Sequence, residues 1–266
     1  PLGSGGTVLP IVFYLHGGGW ALGDLQTHMQ LVCKLADRSQ CAVAFIDYPR
    51  APEHPFPAPV QACASAITDI LSASGALFLN SERFLLVGDS SGGNLVMGVA
   101  QIRRKADLNS SAGLVLLYPV TDHVMDTPSH REFQDNPNLS RHAMEWFWYH
   151  YMPDQSMRSN SIASPLRASL EVLAGLPPVL IITCEYDILR DEGEQLAALL
   201  TSAGVNVTAV RWLGALHGFL VTEQLSASAS AGNCVDFVAQ YCQKAAYGKS
   251  GLQEVPIPEN SRRIFE

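Results

Sequence analysis

Lysine and arginine are scarce in this chain: 17 of them stand against 25 aspartates and glutamates, for a net charge of −8 over 266 residues. That balance argues against phosphate backbones and anionic membranes, and it leaves a neutral small molecule as the expected partner, with no nucleic acid. Charge of either sign is sparse too, at 16% against 47% hydrophobic residues, which excludes an extended disordered chain. No apolar stretch reaches membrane-spanning length and no secretory signal is visible, so the expected location is cytoplasmic. The six cysteines (33, 41, 63, 184, 234, 242) lack metal-like spacing. Most fall in apolar patterns and read as buried thiols in a reducing compartment, and no metal is expected. No internal repeat is evident. The length is ample for one large core, so the expectation is a single α/β domain over residues 1–266.

Against this background, Gly88-Asp89-Ser90-Ser91-Gly92 carries the most information. It reads G-x-S-x-G, directly after the apolar run Phe84-Leu85-Leu86-Val87 and directly before Gly93-Asn94-Leu95-Val96-Met97. A strand that turns sharply into a helix holds the middle serine on a strained corner with its hydroxyl clear of the backbone. Glycines are needed where strand and helix converge, because a larger side chain would clash. A Gly/Ser-rich turn without chemistry can carry the same letters. The strand and helix signals on either side decide for a nucleophile at Ser90.

The second motif is His16-Gly17-Gly18-Gly19-Trp20, after the strand-like Ile11-Val12-Phe13-Tyr14-Leu15. Acyl transfer from a serine passes through an oxyanion that needs fixed N–H donors, each worth roughly 3 kcal/mol of barrier. A glycine run lets the backbone turn amides toward one point. Gly18 and Gly19 are the expected loop donors, and Ser91 adds the amide that follows the nucleophile. Such a loop needs no imidazole, so His16 reads as a brace for it.

A serine nucleophile requires a base, and the base requires an orienting acid, in the order Ser, acid, His. Of eight histidines, His217 sits in a loop after the late strand-like run Val205 to Trp212. His142 and His150 fall in an aromatic helical stretch as lining or surface residues. His28, His54, His123 and His130 read as surface or capping residues. The apolar run Val179 to Thr183 predicts a buried parallel strand leading into Asp187, the expected acid. Glu185 is a second candidate, and Asp191 reads as a first-turn helix residue favoured by the helix dipole.

Together HGGGW, Asp47-Tyr48-Pro49-Arg50-Ala51-Pro52-Glu53, GDSSGGN, the acid and His217 resemble the hormone-sensitive-lipase-like branch of the α/β-hydrolases. That branch carries an HGGG loop, a D-Y-x-x-A-P-E segment and a G-D-S-A-G-G-N elbow, and the resemblance runs from about Leu9 to about Ala246. Ser91 replaces the usual alanine, and Pro49-Arg50 the usual Arg-Leu. The resemblance implies hydrolysis of carboxylic esters with no metal or organic cofactor. It also implies cap helices and two strands ahead of the HGGG strand. Here that strand starts almost at residue 1, so the chain reads as a member without its front, with the strand Cys41 to Ile46 at or near a sheet edge.

Along the rest of the chain, strands and helices alternate as in a mostly parallel sheet covered on both faces. Helices are expected at Leu25 to Arg38 and from Val60 to about Ser74, and a strand at Leu114 to Tyr118. The pattern breaks at about 122–165, which reads as a cap-like insertion over the site or as a helix packed on the body. Its aromatic run Met144 to Tyr151 supplies Trp146 and Trp148 as expected substrate-binding residues, with Trp20 beside the glycine loop. The segment 248–266 reads as a loosely held tail. The composite expectation is a serine hydrolase for esters of short to medium acyl chains. A thioesterase or acyltransferase shares the machinery, and a receptor on the same fold would lack the histidine. Beyond the ester, a homodimer is the one assembly this reading admits.

Overall fold

Runs such as Ile11–Leu15 and Val179–Ile182 are apolar without alternation, which suits strands covered on both faces. The computed structural model describes residues 8–108 and 111–248. Its strands are β1 (Leu9–Leu15), β2 (Ala42–Ile46), β3 (Leu79–Asp89), β4 (Gly113–Leu117), β5 (Val179–Tyr186) and β6 (Val207–Leu216). They form one sheet in the order β2-β1-β3-β4-β5-β6, with every neighbouring pair parallel. The helices are α1 (Leu25–Ser39), α2 (Ala58–Ser72), α3 (Ser91–Lys105), α4 (Pro128–Glu132), α5 (Arg141–Tyr151), α6 (Leu170–Leu173), α7 (Arg190–Ser202), α8 (Glu223–Ser226) and α9 (Ala229–Tyr247).

Strand alternation splits the core into two layers. Ile11, Phe13 and Leu15 of β1 pack with Val60 and Ile67 of α2, Leu95 and Val99 of α3, and Leu196 and Leu200 of α7. Val12 and Tyr14 point the other way, toward Leu31 and Leu35 of α1 and Val235 and Val238 of α9. Parallel strands leave all their C-terminal ends on one edge of the sheet, where open α/β sheets bind ligands. The turns after β1, β3, β5 and β6 therefore deliver residues 16–20, Ser90, Asp187 and His217 to that edge.

The elements lie close to those read from the sequence, with differences that have physical causes. β3 begins well before its apolar run, because Leu79 pairs with Leu9 ahead of a register shift between Pro10 and Ile11. Among the described residues β2 is one edge of the sheet and β6 the other. Segment 122–165 does not stand off as a separate layer. Met144, Trp148 and Tyr151 of α5 belong to the same core cluster as β1 and β3, so this helix packs on the body. The tail expected at 248–266 lies outside the described residues apart from Gly248. Among the described residues no helix is long and apolar enough to cross a membrane, and no His/Cys/Asp/Glu group is arranged to hold a metal ion. Cys33 is exposed and the other five cysteines are buried, none in a disulfide.

Candidate active site

The corner between β3 and α3 holds Ser90 at φ 53°, ψ −120°. A positive φ is strained for any residue with a Cβ, and such strain persists only where the surroundings enforce it. Here they do: Ser90 N donates to Leu117 O (2.8 Å), Val120 N donates to Ser90 O (3.2 Å), and α3 begins at the next residue. Gly92 is obligatory, since a Cβ there would lie 2.0 Å from Leu15 O. The sheet thus approaches the helix more closely than any side chain allows.

His217 Nε2 lies 3.0 Å from Ser90 Oγ, and its Nδ1 lies 2.8 Å from Asp187 Oδ2. All three groups are buried, with Asp187 only 1% exposed. The second oxygen of Asp187 accepts Leu189 N (3.0 Å), which orients the carboxylate toward the imidazole. Tyr118 sets its ring edge-on to His217, with centroids 5.1 Å apart. The other two acids do not reach this line. Asp191 pairs with Arg190 (2.8 Å) and accepts Ser129 N (2.8 Å), while Glu185 accepts Gly214 N (2.7 Å). Geometry therefore selects Asp187 among the three.

The glycine loop folds back on itself, with Gly18 O accepting the amides of Ala21 (3.2 Å) and Leu22 (2.8 Å). Gly17 N is taken by Asp89 Oδ1 (2.8 Å), which joins the loop to the residue before the nucleophile. The amides of Gly18, Gly19 and Ser91 donate to no acceptor among the described residues. Amides left open in this way are what an oxyanion would require.

His16 is the brace expected of it. Its ring stacks on Tyr48 (4.2 Å) and Phe45 (5.2 Å), with Nδ1 2.7 Å from Gly17 O. Burial lowers its pKa, so it is held neutral. The Asp47–Glu53 segment shores up the loop from below: Tyr48 Oη donates to His16 O (2.8 Å), Ala51 N donates to Trp20 O (2.9 Å), and Arg50 donates to Gly23 O. That last bond assigns Arg50 a local role despite the altered motif.

Several expectations need correction. Trp20 and Trp148 offer no surface to a substrate: both are 0% exposed. Trp20 stacks on Tyr151 at 4.1 Å and lies 4.9 Å from Trp148, because α5 folds its apolar face onto the body rather than over the site. Trp146 is 44% exposed on the opposite face of that helix. The α5 side chain that does reach the glycine loop is Phe147, whose ring would lie 2.1 Å from a Cβ on Gly19. Its position among four aromatic neighbours hid it from sequence reasoning. His28 and His130, expected at the surface or at caps, do sit against the N-caps Asp24 and Thr127 of their helices but are not at the surface, being 4% and 0% exposed. His28 Nε2 lies 3.4 Å from buried Asp89. Burial pushes the Asp89 carboxyl up, but the neighbouring His28 and the hydrogen bonds from Tyr14 and Gly17 N outweigh it and set it below its usual range. Ser91 also contributes more than an amide: its Oγ accepts Trp20 N (3.1 Å), stitching the loop to the elbow.

A family model described as alpha/beta hydrolase fold matches residues 12–221. Carboxylic ester hydrolase LipN of Mycobacterium tuberculosis is 41% identical over 237 residues, which cover 86% of this chain and 62% of that protein. A thermostable esterase from Pseudomonas putida superposes with a TM-score of 0.89 at 35% identity, covering 90% of this chain and 75% of that one. Carboxyl esterase 2 of Tuber melanosporum gives 0.88 at 32% identity, with 90% and 79% covered. The chain spans 62–65% of the length of three of the curated relatives it matches.

Proposed function

Since this chain belongs to the α/β-hydrolase-fold family, in its hormone-sensitive-lipase-like branch, we propose that it hydrolyses carboxylic esters through a serine acyl-enzyme. The observation that carries the proposal is the unbroken line Ser90 Oγ, His217, Asp187, with contacts of 3.0 and 2.8 Å. Ser90 attacks the ester carbonyl while His217 Nε2 takes its proton. Asp187 holds the Nδ1–H tautomer and steadies the imidazolium that forms. The amides of Gly18, Gly19 and Ser91 receive the charge that develops on the carbonyl oxygen. His217 returns the proton to the leaving alcohol, and water repeats the cycle on the acyl group.

The substrate class supported best is a neutral ester of short to medium acyl chain. Phe147 lies against the oxyanion loop and narrows the space beside it, and the net charge of −8 disfavours anionic substrates. Two measurements test these claims. Ser90→Ala should fold normally and lose fluorophosphonate labelling together with turnover, retaining only the roughly 10³–10⁴-fold acceleration that binding and the oxyanion hole supply. Labelling that survives the substitution would place the nucleophile elsewhere. In a series of p-nitrophenyl esters, butyrate or hexanoate should exceed palmitate, and the reverse order would refute the chain-length assignment.

A further inference from the structure

Glu192 and His130 lie outside the triad, and both are 0% exposed. Glu192 stands in the first turn of α7, just past the Asp187 turn. Its Oε1 accepts the amides of Thr121 (2.5 Å) and Asp122 (3.3 Å). The preceding amide, Val120 N, donates to Ser90 O (3.2 Å), so consecutive residues after β4 grip the nucleophile on one side and α7 on the other. Helix α4 closes the opposite flank. Ser129 Oγ donates to Ile188 O (2.8 Å) and accepts Asp191 N (3.2 Å). His130, the next residue, turns Nδ1 toward Thr127 Oγ1 (2.6 Å) and Nε2 toward Glu192 Oε2 (3.3 Å). Among the described residues, neither Nε2 nor Oε2 has a hydrogen-bonding partner elsewhere.

Two lone pairs facing each other in a sealed site would each be left unsatisfied, so a proton belongs between them. We propose that Glu192 holds this proton at neutral pH and donates it to Nε2 of neutral His130, an uncharged pair that sets the spacing of the Ser90 and Asp187 elements. The inference rests on the triad reading above. Both are positioning residues: they act through the Thr121–Asp122 backbone and the Asp187 turn. The aspartates around the pair favour the proton on Glu192, while burial and Arg141 keep His130 neutral against the pull of the same aspartates. Asp122 (itself paired with Arg167), Asp126 and Asp187 face the pair together with Arg141. A further carboxylate here would repel the one on which His217 depends. Burial moves both partners toward neutrality, raising Glu192 well above the usual carboxyl range and lowering His130 to about 4.

Infrared difference spectroscopy on the whole protein at pH 7 tests the proton directly. The carbonyl stretch of a protonated carboxyl should appear in the parent and vanish in Glu192→Gln. Glutamine accepts and donates in the same places, so its kcat and the acid limb of its pH profile should stay within about twofold of the parent. Glu192→Ala strands the two amides, and kcat should fall roughly 10–100-fold with little change in KM. If the alanine variant does not fold, the glutamine variant and the infrared band still decide. The pair is overturned if no protonated-carboxyl band depends on Glu192, or if Glu192→Gln shifts the acid limb as loss of a charge would. The band needs no turnover, so a protein that shows it yet fails to hydrolyse any ester would sink the hydrolase reading and leave the proton on Glu192.

Discussion

Ser91 shows how much one atom can contribute. The resembled branch carries alanine there, and the backbone donor would be the same. The hydroxyl accepts Trp20 N at 3.1 Å, at a residue whose own φ of 61° needs to be held. Ser91→Ala should leave that buried amide unsatisfied, at a cost of about 1–3 kcal/mol. Steady-state kinetics should show kcat reduced and KM nearly unchanged, because the loop positions the oxyanion and not the ground state. An unaffected kcat would mean that the Tyr48 and Ala51 contacts suffice. The acid offers a sharper contrast. Asp187→Asn should cost on the order of 10⁴-fold in kcat by presenting the wrong tautomer. Asp191→Asn, which disturbs an ion pair with Arg190 and a bond to Ser129, should cost far less. Rate measurements on the two variants that gave the opposite order would reassign the acid.

At the scale of elements, α5 is the one whose role the structure changed. An aromatic helix after β4 reads as well for a lid as for a body helix, because the composition of the two is the same. Packing separates them: Met144, Trp148 and Tyr151 recur at helical spacing and sink into the main core, leaving Phe147 against the glycine loop. Gly19→Ala should therefore nearly abolish activity, since its Cβ would fall 2.1 Å from the Phe147 ring. Adding Phe147→Ala should restore folding stability in part. It should not restore activity, because φ at residue 19 is +60° and remains strained for alanine. Thermal unfolding of the single and double variants, read beside their ester hydrolysis, checks both halves of the prediction.

For the molecule as a whole, buried titratable groups set the pH range of stability. Folded His130 refuses a proton that the unfolded chain accepts at about 6.5, so stability is lost as pH falls from there toward about 4. Asp89 adds to the loss at lower pH, because its folded carboxyl is depressed and must be protonated. Two groups act on the alkaline side. Folded Glu192 and His28 hold protons more tightly than the unfolded chain does, so their contributions fade as pH rises through their raised values. Melting temperature should therefore peak between these limbs. His130→Gln should make the acid limb between about 6.5 and 4 shallower, since the most depressed of the buried imidazoles no longer titrates there and His16 remains. An acid limb left unchanged by the substitution would move its origin to His16 and the carboxylates.

The parallel sheet, the strand-to-helix corner at Ser90, the glycine loop and the place of His217 after a late strand were legible in the chain, because each depends on local rules. Apolar runs make buried strands, glycines mark close approaches, and a parallel sheet places its loops on one edge. The place of Asp187 was legible for the same reason, as a residue of the turn that follows a buried strand. Burial of His28 and His130 was not legible, because it depends on helices α1 and α4 meeting β3 and α7 from remote parts of the sequence. The same holds for the Trp20–Tyr151 stack, which joins residues 131 positions apart in the chain. Periodicity tells which face of a helix is apolar. What that face meets, and which single ring is left over to touch the site, is decided only when distant elements pack.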